Sequence, residues 1–198
     1  MPMYAAYGMN MDPDHMSAKA PRSPIAGTGW LRGWRLTFAG GSVDGPGPHS
    51  EQGALASVVE DPDSQVFVVL YDVTEDDVAL LDRWEGTDSI RPTRLRSRVH
   101  RLPNLPAGPP VDAQVSEFSV SDVTSGPSGI SGGELSEEEY APQGEDVVAW
   151  FYVMDAYEGG LPLAAYLGQL ADAAESAGAP ADYVHNLRTR PCQAGGAD

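Results

Sequence analysis

"YAAYGMNMDP", residues 4–13, compresses a strand, a loop and a helix start into ten residues. Tyr4, Ala5, Ala6 and Tyr7 form a short apolar run, and Gly8 then frees the backbone for a turn. Asp12 followed by Pro13 is an N-cap with proline at the first helical position, where its missing N–H is no loss. A turn of this kind aims backbone N–H groups and the positive end of a helix at one spot. That spot suits a carboxylate, a phosphate or a developing oxyanion, although a plain tight connection uses the same residues.

Working outward, "GWLRGWRLTFAG" (29–40) alternates Trp34, Leu36 and Phe38 with Arg35 and Thr37, the pattern of a half-buried strand. A Gly- and Pro-rich loop is expected over 40–53, then a strand over 54–60 and a turn at "DPDS" (61–64). "QVFVVLYDV" (65–73) is apolar without alternation, so it is expected to be buried on both faces. Thr74 caps the next helix, with Glu75, Asp76 and Asp77 in the first turn and Gly86 at its end. Five of the twelve basic residues, Arg91, Arg94, Arg96, Arg98 and Arg101, fall in one segment. Arg94, Arg96 and Arg98 alternate with Leu95 and Val99 as on the solvated face of a strand, or else the segment forms a field for anionic substrates. The segment 121–146 turns to Ser, Gly, Pro and Glu and is expected to be a poorly ordered insertion or lid. "VVAWFYVM" (147–154) is the last strand. Pro162 is expected to open a helix with Leu163, Tyr166, Leu167, Leu170 and Ala174 on one face, and a short helix follows over 182–187.

The length of 198 residues suits one α+β domain, and strands interrupted by a few helices argue against repeated βαβ units. A net charge of -17 makes nucleic acid an improbable partner. Cys192 stands alone, so no disulfide framework is expected, and a reducing cytoplasm is the implied setting. No stretch reaches the roughly 20 apolar residues of a membrane helix, so no membrane association is expected. His15, His49, His100 and His185 lack metal-ligand spacing. Ser42 and Ser64 have no nucleophile elbow around them, and no Gly-rich stretch runs into Lys-Ser or Lys-Thr.

One residue is out of place. In "TEDDVALLDRWEG" (74–86), Val78, Leu81 and Glu85 recur at helical spacing, so Glu85 lies on the stripe expected to face the core, beside Trp84 and Leu80. Burial and the negative end of the helix both disfavour the charged carboxylate, which is how a general acid or base is tuned towards neutrality. The bland alternative is a frayed last turn with Glu85 in water.

A strand ending in Tyr-Gly-x-Asn, followed later by a helix ending in Leu-Asp-x-Trp-Glu-Gly, resembles the gamma-glutamylcyclotransferase family. The resemblance continues through "DAYEGGLPLAAYL" (155–167) and "AGAPADYVHNLRTRPC" (177–192). It implies a small mixed β-barrel of about five to seven strands flanked by helices. The implied activity is cyclisation of a gamma-glutamyl amide to 5-oxoproline with release of a free amine, without metal or cofactor. Carried over by position, Glu85 is the catalytic acid and base. Tyr7, Gly8, Met9 and Asn10 cradle the substrate, and Tyr157 lines the pocket. The chain departs from the family pattern at three places: Met9 stands for the usual Ser, Pro92 for a Tyr, and Leu163 for the Ser after Pro162. These losses leave a non-catalytic ligand-binding or interaction module on the same fold as the alternative. The partner implied is a small gamma-glutamyl compound, with the chain a monomer or weak homodimer.

Overall fold

The computed structural model describes residues 3–40, 53–85, 93–103, 144–154 and 158–193. Five strands close into a barrel: β1 (Met3–Ala6), β2 (Ile25–Ala39), β3 (Leu55–Asp72), β4 (Thr93–Arg101) and β5 (Glu145–Val153). Around the barrel they run β1-β3-β2-β4-β5, and a short parallel pairing of β1 with β5 closes the ring through Met3↔Ala149 and Tyr4↔Trp150. Every other pairing is antiparallel. Four helices flank the barrel: α1 (Pro13–Lys19), α2 (Glu75–Glu85), α3 (Ala164–Ser176) and α4 (Ala181–Arg188). This is the α+β mixed barrel that the sequence led us to expect.

The core follows the apolar strand. Val66, Phe67, Val68, Val69, Leu70 and Tyr71 are all buried, so β3 has no solvated face over this stretch. On β2, Leu36 and Phe38 are buried and Arg35 points out, but Thr37 is buried too, since both faces of that end of the strand are covered. Gly29 lets β2 approach β4, because a Cβ there would lie 2.7 Å from the His100 carbonyl oxygen.

The structure differs from the sequence reading at several boundaries. The two strands expected over 54–60 and 65–73 are one continuous strand, Leu55–Asp72. "DPDS" does turn, since Asp61 accepts from the Asp63 N–H and the Ser64 hydroxyl, but the excursion lies opposite Gly33 at φ 79° and the ladder to β2 resumes beyond it. Residues Glu145 and Asp146, expected in the 121–146 loop, start β5, drawn into the ladder by Arg101 and His100 opposite, at 3.1 and 3.0 Å. The helix expected from Pro162 begins at Ala164, because Pro162 and Leu163 are held extended by bridges to Gly53 and Gln193. Trp84, placed beside Glu85 on the inward stripe, is 58% exposed. The rest of the 40–53 and 121–146 loops, and Gly86, Pro92 and Tyr157, lie outside the described residues.

The arginine strand has a solvated face, with Arg96 and Arg98 exposed. No helix among the described residues is long and apolar enough to cross a membrane.

Candidate active site

Parallel pairing of β1 and β5 brings both of their C-terminal ends to one end of the barrel. The antiparallel β4 starts at the same end. Tyr7 and Gly8 leave β1 there and pass into a single 3₁₀ turn, Met9–Met11, and then into α1. Asp12 accepts from the Asp14 N–H at 2.9 Å, with Pro13 opening the helix as expected. The turn's own ladder begins with Met11 N–H to the Gly8 carbonyl and Asp12 N–H to the Met9 carbonyl. The N–H groups of Gly8, Met9 and Asn10 therefore precede the first donors of that ladder.

The last turn of α2 meets this turn from across the chain. Asn10 Nδ2 donates to Glu85 Oε1 at 3.1 Å and to the Tyr4 hydroxyl at 2.9 Å. Its Oδ1 accepts from Lys19 Nζ at 3.0 Å, and the same ammonium lies 3.6 Å from Glu85 Oε1. Asn10 is buried, with both sides of its amide committed to the chain. The Glu85 side chain is 29% exposed, neither sealed in the core nor out in bulk water.

Four tyrosines feel the charge of this carboxylate. Burial, with Glu85 adding to it, raises Tyr4, Tyr7 and Tyr166 above the ordinary phenol value, Tyr166 to about 12. Burial, then Asp82, then Glu85 raise Tyr152 in the same way. The Tyr7 hydroxyl donates to the Tyr152 carbonyl, fastening the end of β1 to β5. Tyr166, in the first turn of α3, accepts from the Ala56 N–H at 3.1 Å, next to Gly8, whose added Cβ would meet the Ala56 Cβ at 3.9 Å.

A second network backs the first. Asp82, one turn before Glu85, accepts from the Tyr152 hydroxyl at 2.7 Å and pairs with Arg94 at 3.2 Å. The Arg94 guanidinium also lies over Trp150, 5.4 Å from the ring centroid. Trp150 in turn packs on Tyr4 at 4.6 Å and on Tyr152 at 5.3 Å.

Of the expected site residues, Tyr7, Gly8, Asn10 and Glu85 converge, Met9 lies half-buried in the same turn, and Tyr157 is outside the described residues. Local sequence gives no site role to Lys19, Asp82 or Tyr152; it marks Arg94 only as part of the arginine segment and Tyr166 only as a helix-face residue. For Lys19 a signal existed: it sits three residues after the buried Met16, on the same side of α1, as a charge on an apolar stripe.

The chain is thus a closed five-stranded mixed barrel with a half-buried carboxylate brought to the turn after its first strand. Residues 4–127 match the family described as "Gamma-glutamyl cyclotransferase, AIG2-like", residues 138–187 match the AIG2-like family, and the chain belongs to the first of these. A solved structure described as "Gamma-glutamyl cyclotransferase" superposes with a TM-score of 0.68 at 17% identity, covering 97% of this chain and 89% of that one. A Homo sapiens structure, itself described as uncharacterized, gives 0.67 at 17% identity over 96% of this chain and 88% of that one. A yeast structure described as a gamma-glutamyl cyclotransferase specific to glutathione gives 0.53 at 12% identity, covering 94% of this chain and 93% of that one. At these identities the likeness is one of fold. Among curated proteins no sequence matches.

Proposed function

We propose that the protein is a gamma-glutamylcyclotransferase-type enzyme that converts a gamma-glutamyl amide into 5-oxoproline and a free amine, with Glu85 as general base and then general acid. The observation that carries this is the contact between Asn10 and Glu85 at 3.1 Å, which joins the Tyr-Gly-Met-Asn turn to a carboxylate 75 positions further along the chain.

In this reading Glu85 removes a proton from the substrate's α-ammonium, and the freed amine attacks the gamma-carbonyl carbon. The carbonyl oxygen becomes an oxyanion and meets the backbone N–H groups of Gly8, Met9 and Asn10. Collapse of the tetrahedral intermediate breaks the old C–N bond while Glu85 delivers its proton to the departing nitrogen, and the ring nitrogen then gives its surplus proton back through Glu85, so the amine leaves as an ammonium and 5-oxoproline is neutral at nitrogen. Nucleophile and carbonyl share one molecule, so holding the curled conformer supplies most of the proximity advantage. Met9 in place of Ser is compatible with this scheme, because a main-chain contact does not need the side-chain hydroxyl. Asn10 takes part through its side chain by orienting Glu85, and Tyr157 as a pocket residue stays part of the proposal. The reaction as drawn calls on no metal or cofactor.

We also read the 198 residues as one such domain, since the two family matches together reach from residue 4 to residue 187. A cytoplasmic monomer or weak homodimer is the proposed setting, resting on the lone Cys192 and the acidic surface charge.

The test is a panel of gamma-glutamyl amines, amino acids and peptides, with 5-oxoproline measured as product. Glu85→Gln keeps the shape of the side chain and removes the base. We expect wild type to release 5-oxoproline from at least one member and the variant to be slower by at least about 100-fold. Equal rates for the two proteins would leave the non-catalytic module as the better reading.

A further inference from the structure

We propose that Lys19 takes the α-carboxylate of the glutamyl group, which makes it the residue that restricts this chain to gamma-glutamyl compounds whose α-carboxylate is free. The inference rests on the cyclotransferase reading of Glu85 and deepens it.

An ammonium offers three donors. For Lys19 one goes to Asn10 Oδ1 at 3.0 Å, and another points towards Glu85 Oε1, which at 3.6 Å is an ion-pair contact longer than a hydrogen bond. Among the described residues the third has no acceptor. The side chain is only 16% exposed and is anchored at the C-terminal end of α1, where the helix dipole favours a cation. Glu85 shows the matching asymmetry: both of its polar contacts are on Oε1, and among the described residues Oε2 has none. A carboxylate and an ammonium side by side, each with an unused valence, form an array of opposite charges.

The head of a gamma-glutamyl compound is the complementary array. Its α-nitrogen and its carboxylate carbon sit on one carbon, roughly 2.5 Å apart. A head whose nitrogen meets Glu85 Oε2 therefore presents its carboxylate to whatever adjoins Glu85, and what adjoins it is Lys19. His15, which feels both Lys19 and Glu85, is held below the ordinary imidazole value by burial and then by Lys19, so its cation is disfavoured. Two further cations are already paired. Arg94 is paired with Asp82 and lies over Trp150, and Arg22 is held by Asp76 and Asp77. Binding the head replaces one long ion pair by two shorter ones without stranding either charge, which avoids the penalty of an uncompensated buried ion.

The experiment takes the gamma-glutamyl compound that wild type turns over best and its counterpart in which the α-carboxylate is a primary carboxamide. Wild type should prefer the acid by roughly 10- to 100-fold in kcat/KM, the range for one charge-assisted hydrogen bond. Lys19→Met keeps the stem and removes the charge, so the ratio between the two substrates should fall towards one, chiefly through KM for the acid. Lys19→Arg should recover part of the preference. If Lys19→Met keeps the wild-type ratio, or slows both substrates by the same factor, the inference is overturned and Lys19 only braces Asn10. A wild type silent across the whole panel overturns the cyclotransferase reading, and this inference with it. Circular dichroism and urea unfolding of each variant separate loss of recognition from loss of fold.

Discussion

Gly8 sits at φ -106°, outside the left-handed region, and a Cβ there would meet the Ala56 Cβ at an ordinary 3.9 Å. Neither backbone strain nor packing among the described residues therefore calls for glycine. The remaining reason is close approach of something else to the backbone, as the proposed glutamyl carbonyl would make. Gly8→Ala should leave stability within about 0.5 kcal/mol of wild type in urea unfolding. The same change should weaken 5-oxoproline formation at least tenfold, because the new methyl group would compete with the proposed close approach of the substrate to this backbone. Glu85 was legible because helical periodicity alone sets a charge on an apolar stripe. Its partners were not, since Asn10 and Lys19 reach it across a separation that no local pattern encodes.

At the level of elements, α2 shows how one turn of helix combines two kinds of acid. Thr74 caps it as expected, its Oγ1 accepting from the Asp77 N–H at 3.3 Å and its carbonyl from the Val78 N–H. Glu75 and Asp76 are exposed, as first-turn acids usually are, but Asp77 is fully buried. Its Oδ2 accepts from the Arg22 N–H and the Ser23 hydroxyl, both at 2.8 Å, tying α2 to the chain that leaves α1. The inward stripe of α2 thus takes in Asp77, Val78, Leu81 and Glu85, with a structural carboxylate at one end and the proposed catalytic one at the other. Asp77→Ala strands two donors and should cost about 2–4 kcal/mol in urea unfolding, with Asp77→Asn costing less because it keeps an acceptor. Local sequence places Glu75, Asp76 and Asp77 alike in the first turn of the helix. Only the loop packed against the helix distinguishes them.

At the scale of the whole molecule, burial is the largest cause raising six phenols among the described residues: Tyr4, Tyr7, Tyr71, Tyr152, Tyr166 and Tyr183. A group whose folded value lies above its unfolded value contributes stability that is complete below the unfolded value and is lost as pH rises past it. The protein should therefore hold its stability up to about pH 10, the ordinary phenol value, and lose it steeply above. Phenolate absorbance from these rings should appear together with the loss of circular dichroism. Ionisation that clearly precedes unfolding would show the barrel end to be wetter than described. The strands β2, β3 and β5, the cap and proline of α1, the cap of α2 and the inward Glu85 could all be read from local sequence, since propensity, capping and periodicity act over a few residues. Three things could not: closure of the barrel by the two-residue β1–β5 pairing, continuity of β3 through "DPDS", and the assembly of Asn10, Lys19, Glu85 and the tyrosines. Each of these depends on contacts between residues far apart in the chain, whose partners are chosen by register, packing and burial once the barrel has closed.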